Sequence, residues 1–298
     1  MHTRTVHAVI SFRSAPRLES ARTRLEAIAL FLVNSNLHIS LSATSIALVT
    51  VLLIDLRLEV VPLFIVFAAT MFVYSINRVT DLEEDARNVP GRAAFTREYG
   101  RLLLALGVGL YVLAIGVAVV LELPGARYTV IPLLVTIAYS FFRLKRVFLV
   151  KNLTVGVAWG LIPLGVGYYY GVLEAPGIVF LAAYVTTMLT VAAIVFDIKD
   201  IDGDRAAGIR TVPVVFDTRR TRILAQFSNV AVAASVVVCV VGNLVPVTFL
   251  VLLAFNAYVG TYIPFATRDR SVLFYGFVID GEQIFLACCV LALELTLW

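Results

Sequence analysis

Long apolar stretches recur along this chain so closely that most of it must lie in hydrocarbon. They fall near residues 27–54, 59–78, 101–121, 128–142, 153–172, 178–197, 223–243, 245–266 and 276–297. A bilayer core is crossed by a helix of about 17 to 25 residues, so the pattern predicts an all-α polytopic membrane protein with nine transmembrane helices. Composition agrees: 60% of the 298 residues are hydrophobic and 15% are charged, against roughly a quarter charged in a soluble domain. Nine is odd and puts the two termini on opposite sides. The fourth stretch is short, and the ninth carries Asp280, Glu282 and Glu294.

Lys and Arg near span ends are retained on the cytoplasmic side. With a cytoplasmic N-terminus, the inner segments hold Arg4, Arg13, Arg17, Arg22, Arg24, Arg78, Arg87, Arg92, Arg97 and Arg101. Later inner segments add Arg143, Lys145, Arg146, Lys151, Lys199, Arg205, Arg210, Arg219, Arg220, Arg222, Arg268 and Arg270. Only Arg57 and Arg127 of the 24 basic residues fall outside. This partition accounts for the pI near 9.0 without nucleic acid, since exposed segments lack the aromatic-basic interleaving that grips single strands. Residues 1–26 have no apolar core of signal-peptide length and read as a cytoplasmic lead-in. Cys239, Cys288 and Cys289 lie within expected spans without ligand spacing, and read as packing residues.

Two acidic segments interrupt the hydrophobic pattern at matching places. "NRVTDLEEDARN" follows the second span, and "DIKDIDGDRAAG" follows the sixth. Asn77 and Asp197 are 120 residues apart, which suggests one membrane domain over 27–298 built of two similar halves, 27–150 and 151–298. At about 100° per residue, Asn77, Asp81 and Asp85 share an arc of about 80°, and Asp197, Asp200 and Asp204 one of about 60°, if each helix continues through its motif. Gly203 is a poor helix former, so the alternative is a turn at Asp204. Glu83 and Glu84 read as solvent-facing.

Carboxylates crowded in this way repel one another, and near hydrocarbon the repulsion is weakly screened. The neutralising partner is either the neighbouring Arg and Lys or a divalent cation. The oxygen-only ligand set, with no His or Cys nearby, suits Mg²⁺, which bridges from a few protein carboxylates to substrate phosphates. Arg143, Lys145 and Arg146 in "YSFFRLKR" then fit phosphate oxygens from the opposite side.

These two motifs, with "YSFFRLKR" and "KNLTVGVAWGLIPL", resemble the UbiA-type intramembrane prenyltransferases over about residue 30 to the end. The resemblance implies nine helices around a central cavity open to the cytoplasmic side and to lipid. The implied activity is transfer of an isoprenoid chain from its diphosphate to a lipid-soluble acceptor, aided by two or more Mg²⁺ ions bridging the diphosphate. Carried over by position, Asn77, Asp81 and Asp85 form the first metal-diphosphate motif and Asp200 and Asp204 the second, with Asp197 a helper one turn earlier. Tyr139, Lys145 and Arg146 match the segment that reaches the diphosphate and reaction centre, with Arg143, Lys199 and Arg92 as further diphosphate contacts. Two departures leave the acceptor open: Arg78 stands where many members carry Asp, and "NVPGR" replaces an Asn-Arg-Pro pattern. Quinone precursors, archaeal glycerol-phosphate ethers, haem and carotenoids are all acceptors within such a family. The implied location is the cell membrane of a prokaryote, with the site facing the cytoplasm.

Other polar and aromatic positions have competing readings. Asn34, His38 and Ser42 step by four along the first span, as acceptor contacts or as ordinary interhelix hydrogen-bonding groups. Trp159 and Tyr168–Tyr170 either steady positive charge along the substrate path or mark the membrane interface. The glycines of "GVGYYYG" suit close helix packing. Asp280 and Glu282 receive no role from the sequence. A secondary transporter with acidic cation sites is the rival class, although its sites gather at the midplane while both motifs here lie at span ends. A purely structural protein has no use for two matched motifs.

Overall fold

The computed structural model describes residues 16–141 and 147–297; the side chains of 16–22, Glu84, 138–141 and Leu297 lie outside the description. The described residues form helices and connecting turns, with no strand among them. Twelve α-helices follow in order: α1 (Pro16–Asn34), α2 (Leu37–Leu53), α3 (Val60–Thr80), α4 (Leu82–Asn88), α5 (Pro90–Val120) and α6 (Ile131–Phe141). Then come α7 (Val150–Tyr169), α8 (Pro176–Phe196), α9 (Ile201–Ala206), α10 (Val212–Val241), α11 (Leu252–Tyr262) and α12 (Glu282–Leu297). A π-helical turn at Phe274–Ile279 leads into α12.

Seven helical segments are long and apolar enough to cross a membrane, or eight if a bent pair counts as one span. That pair corrects the expected first span. Instead of one helix over 27–54, the chain bends by 70° between Thr23–Asn34 and Leu37–Leu53. Asn36 takes a left-handed φ of 65°, a conformation Asn tolerates better than most residues, and α1 ends there. The expected fourth span is a 3₁₀ turn followed by a short apolar helix.

Two spans begin well before their apolar cores. α5 starts with Pro90 in its first turn, where a missing N–H costs nothing. Its 31 residues reach about 46 Å, beyond a hydrocarbon core of about 30 Å. In α10 the ladder is interrupted at Asp217, with φ 69° and ψ 168°. The Asp217 carboxylate accepts the Arg220 N–H at 2.9 Å, so Asp217 caps the membrane part of that helix.

The core is centred on α8, whose Leu181 and Met188 are almost fully buried in one cluster with Phe249, Leu252 and Phe255. α5 and α10 turn Val112, Leu113, Phe227 and Val238 outward, as a lipid-facing surface requires. α7 reaches α8 unusually closely: a methyl group at Gly156 would stand 2.1 Å from Thr190 Oγ1, and one at Gly160 1.9 Å from Thr186 Oγ1. Small residues four apart let membrane helices approach in this way. The consequence is that the start of α7 is fixed against the end of α8.

Candidate active site

Both motifs change backbone geometry at an aspartate while the helical path continues: the Asp81 and Asp85 N–H groups bond the Asn77 and Asp81 carbonyls at 2.9 Å, and the later span runs from Pro176 to Ala206. α3 stops at Asp81, with φ −98° and ψ 12°, and α4 starts immediately after it. α8 passes through a 3₁₀ turn at Asp197–Asp200, and Asp200, with φ −98° and ψ 4°, precedes α9. Both aspartates therefore occupy the sparsely populated bridge region where many active-site residues sit. Gly203 does not break the helix; it lies inside α9.

The Gly203 position decides how the motifs meet. A methyl group there would stand 2.4 Å from Asn88 Oδ1, at the end of α4. Glycine thus allows the short helix after the first motif to touch the short helix after the second. Residues that are more than a hundred positions apart become neighbours at one end of the bundle.

Basic side chains neutralise three of the carboxylates. Arg92, in the first turn of α5, forks onto Asp85, with Nε 2.8 Å from Oδ2 and a second bond to Oδ1. Asp197 receives Lys151 Nζ at 2.7 Å and Asn152 Nδ2 at 2.8 Å from the start of α7. Lys199 lies 2.9 Å from Asp200 Oδ2 and covers the Phe196 ring at 4.6 Å. Lys199 is also within electrostatic reach of Arg92 and Lys151, so the three pairs form one charged cluster. The sequence offered cations or metal as alternatives, and here Arg and Lys hold these three carboxylates. Lys151 and Asn152 were not singled out as site residues; the hydrophilic pair "KN" opening an apolar segment was the available signal.

Asp204 differs. It is 2% exposed, and its Oδ2 has no hydrogen-bond partner. A buried carboxylate oxygen without a partner is costly and calls for an explanation, a bound ion or water among them. Among the described residues, no three His, Cys, Asp or Glu side chains are gathered closely enough to hold a metal unaided. The donor set therefore fits Mg²⁺ held by one or two carboxylates and completed by phosphate and water, rather than a closed protein cage.

The other expected residues are dispersed. Asn77 is half-buried in the last turn of α3, and its carbonyl accepts the Asp81 N–H at 2.9 Å. Glu83 is exposed, as expected. Arg143, Lys145 and Arg146, and the side chains of Tyr139 and Glu84, lie outside the described residues. Asn34, at the end of α1, is separated by the bend from His38 and Ser42 on α2, so the three do not share one helix face.

His38 and Ser42 grip the π-helical turn. The His38 ring stacks on Phe277 at 4.5 Å, its Nε2 is 3.1 Å from the Phe277 carbonyl, and Ser42 donates to the Asp280 carbonyl. Tyr258 donates to the Val278 carbonyl at 2.8 Å. A π turn displaces carbonyls from the regular ladder, and these side chains satisfy them. Glu282 accepts from Tyr262 at 2.6 Å and from Gln283 at 2.9 Å, which gives this buried acid a place in the bundle core.

Aromatic candidates fall elsewhere. Trp159 is buried in the central core. Tyr169 donates to Glu59 at 2.6 Å and Tyr170 to the Arg57 carbonyl at 2.7 Å. These contacts lie at the far end of α7 from Lys151, roughly 27 Å away along the helix. The tyrosines tie loops at the opposite end and do not line the charged cluster. Of the "GVGYYYG" glycines, Gly167 abuts Ile178, while Gly165 and Gly171 face open space.

Comparison with known proteins gives the same outline. A protein of Methanothermobacter thermautotrophicus named digeranylgeranylglyceryl phosphate synthase is 31% identical over 168 residues, covering 54% of this chain and 57% of that protein. The protein of that name from Thermococcus gammatolerans is 26% identical over 222 residues, covering 72% and 77%. The first alignment therefore spans little more than half of its relative. A solved UbiA homologue from Archaeoglobus fulgidus, bound to DMAPP and Mg²⁺, superposes with a TM-score of 0.63 at 14% identity, covering 90% of this chain and 99% of that one. At that identity the likeness concerns the fold. The sequence profile of the UbiA prenyltransferase family matches residues 37–272, most of the chain, and the protein belongs to that family.

Proposed function

We propose that this protein transfers a prenyl group from a prenyl diphosphate to a lipid-soluble acceptor, at the end of the bundle where the two acidic motifs meet. The observation that carries this reading is the close approach of Gly203 to Asn88 beside the buried, unpaired Asp204 Oδ2. One diphosphate can then address both motifs.

Cleavage of the allylic carbon–oxygen bond leaves its electron pair on the diphosphate. Arg92 and Lys199 supply fixed positive charge for that leaving group, where preorganised charge is most effective. Asp85 and Asp200 hold these two cations in place before substrate arrives. Asn77, Asp81 and Asp204 are the residues to hold Mg²⁺, with Asp85, Asp197 and Asp200 beside them and two or more ions in total. When bound, the metal supplies Lewis-acid neutralisation of the phosphates.

The allylic cation must be protected from water. An open apolar groove of about 240 Å³ between α6 and α7, facing outward with Leu153 and Val157, would keep a prenyl tail among apolar side chains and lipid. It is lined by Val135, Val150, Leu153, Val157 and Leu161 and starts beside Lys151. A prenyl tail lying there points its diphosphate towards the charged cluster. The acceptor then attacks the allylic carbon and loses a proton.

Counting the bent first span and the short apolar helix α6, this reading has nine membrane elements, a cytoplasmic N-terminus and a cytoplasmic-side site. Arg92, Lys151, Lys199 and Arg268 gather at the motif end, whereas Arg57 and Arg127 do not, and the positive-inside rule supports that orientation. The two-half organisation is supported by each motif lying between a span and a short helix. A narrower reading, in which the acceptor carries a glyceryl phosphate, is supported by the names of the two relatives.

Purified protein in lipid nanodiscs, given labelled geranylgeranyl diphosphate and an acceptor panel, is expected to form product and release diphosphate with Mg²⁺ and not with chelator. Metal-independent behaviour, or no product with any acceptor, overturns the proposal and returns the transporter reading to the front.

A further inference from the structure

The buried and half-buried basic side chains beside the two motifs are committed to carboxylates, with one exception. Arg92 gives two nitrogens to Asp85, Lys199 Nζ stands 2.9 and 3.0 Å from the two Asp200 oxygens, and Lys151 Nζ is 2.7 Å from Asp197. Arg78 is the exception. Among the described residues no carboxylate pairs with it, and its one hydrogen bond runs from Nε to Asn36 Oδ1 at 3.1 Å. A guanidinium held at Nε presents its two terminal nitrogens as a planar fork of the kind that matches phosphate oxygens.

Helix geometry puts that fork beside the first motif. Arg78 lies in the last turn of α3, one turn before Asp81 and two before Asp85. The N–H groups of both aspartates keep the helical path going with bonds of 2.9 Å. At about 100° per residue, Arg78 is therefore about 60° from Asp81 and about 20° from Asp85 around that path. Arg92 and Asp85 lie within electrostatic reach of the guanidinium, as this placement requires.

The group that holds Arg78 is itself fixed. Asn36 is fully buried; its Nδ2 donates to Ser75 Oγ at 3.4 Å, and its carbonyl accepts Ser40 Oγ at 2.8 Å. It stands at the 70° break in the first span with φ 65°. The break thus delivers an amide oxygen to a side chain 42 residues further along the sequence.

We propose that Asn36 is a positioning residue for diphosphate binding: it holds Arg78 so that the two free guanidinium nitrogens grip the diphosphate beside Asp81. Ordering this long side chain before substrate arrives lowers the entropy cost of binding. The proposal rests on the prenyl-transfer reading for its substrate, whereas its anion site is testable without turnover.

The test uses the full chain in lipid nanodiscs. Inorganic pyrophosphate with Mg²⁺ is the binding probe, followed by calorimetry, and geranylgeranyl diphosphate with the acceptor panel gives the kinetics. Arg78→Gln should weaken pyrophosphate binding at least about tenfold through loss of a charge-assisted pair. It should raise KM for the prenyl diphosphate to match and leave KM for the acceptor unchanged. Arg78→Lys keeps the charge without the fork and should fall between Arg78→Gln and wild type. Asn36→Gly keeps the left-handed turn and removes the amide; lost preorganisation should weaken pyrophosphate binding about threefold to tenfold. The double variant should bind no more weakly than Arg78→Gln alone, because Asn36 acts through Arg78. Additive losses, or pyrophosphate affinity unchanged in Arg78→Gln, overturn the proposal. So does a lowered melting temperature with affinity intact, the mark of a pair that only staples the break. Pyrophosphate binding that depends on Arg78, with no product from any acceptor, refutes prenyl transfer and retains the anion site. Product formation with a pyrophosphate affinity indifferent to Arg78 does the reverse.

Discussion

The two acidic motifs look alike in sequence and are secured differently. In the first, Asp85 is held by Arg92, seven residues later on the next helix. In the second, Asp197 is held by Lys151 and Asn152, about 45 residues earlier on α7. Yet each motif turns at an aspartate of nearly the same backbone conformation, Asp81 and Asp200. The first is therefore a locally closed unit that depends on α3, α4 and α5. In the second, Asp200 is paired locally with Lys199, but the Asp197 contacts exist only once α7 has packed on α8. The difference teaches that matched motifs need not be equally robust: the second ties site and bundle together, whereas the first can adjust without unfolding its surroundings.

The largest expected effect comes from the residue whose buried Oδ2 has no hydrogen-bond partner. Asp204→Asn should lower prenyl transfer by about a hundredfold to a thousandfold, on the scale of losing a key electrostatic group. Its melting temperature should stay the same or rise, because a buried unpaired carboxylate is relieved. Retained activity would show that the second motif serves structure alone. Next in size is the contrast between the two sets of pairs. Lys151→Ala leaves Asp197 buried without its charge partner and should cost about 3–5 kcal/mol of stability, read by thermal melting. Arg92→Ala should cost less stability and more activity. The reverse order would break the distinction between local and tertiary closure.

Gly203→Ala sharpens the comparison most directly, with a smaller effect. In an ordinary helix this change stabilises by roughly 0.5–1 kcal/mol. Here the new methyl meets Asn88 Oδ1, so activity should fall about tenfold, and Asn88→Ala in the same chain should restore part of it. An unaffected Gly203→Ala enzyme would mean that the two short helices can separate without consequence.

Much of this was legible from residues alone, for physical reasons that can be named. Span positions are set by the solvent each segment meets, and apolar runs record that directly. The acidic clusters at the ends of α3 and α8 stood out because carboxylates are expensive beside hydrocarbon. Asn36 was not recognised as a break, because "FLVNSNLHIS" keeps enough apolar residues to pass as one span. Nor were the changes of backbone geometry at Asp81 and Asp200 visible, since no Pro announces them. Gly203 was visible but its purpose was not: a glycine reads the same whether it loosens a helix or admits a neighbour.

By itself the sequence determined an all-helical membrane chain, the end at which its acids and most of its basic residues gather, and the family to which it belongs. These depend on hydropathy, charge and short motifs, which are properties of neighbouring residues. Tertiary structure alone decided which cation holds which carboxylate, that Asp204 is left with a buried bare oxygen, and that Arg78 is braced by Asn36 with its fork open. Those outcomes depend on how closely helices approach, and that distance is fixed by side chains distant in the chain meeting in space.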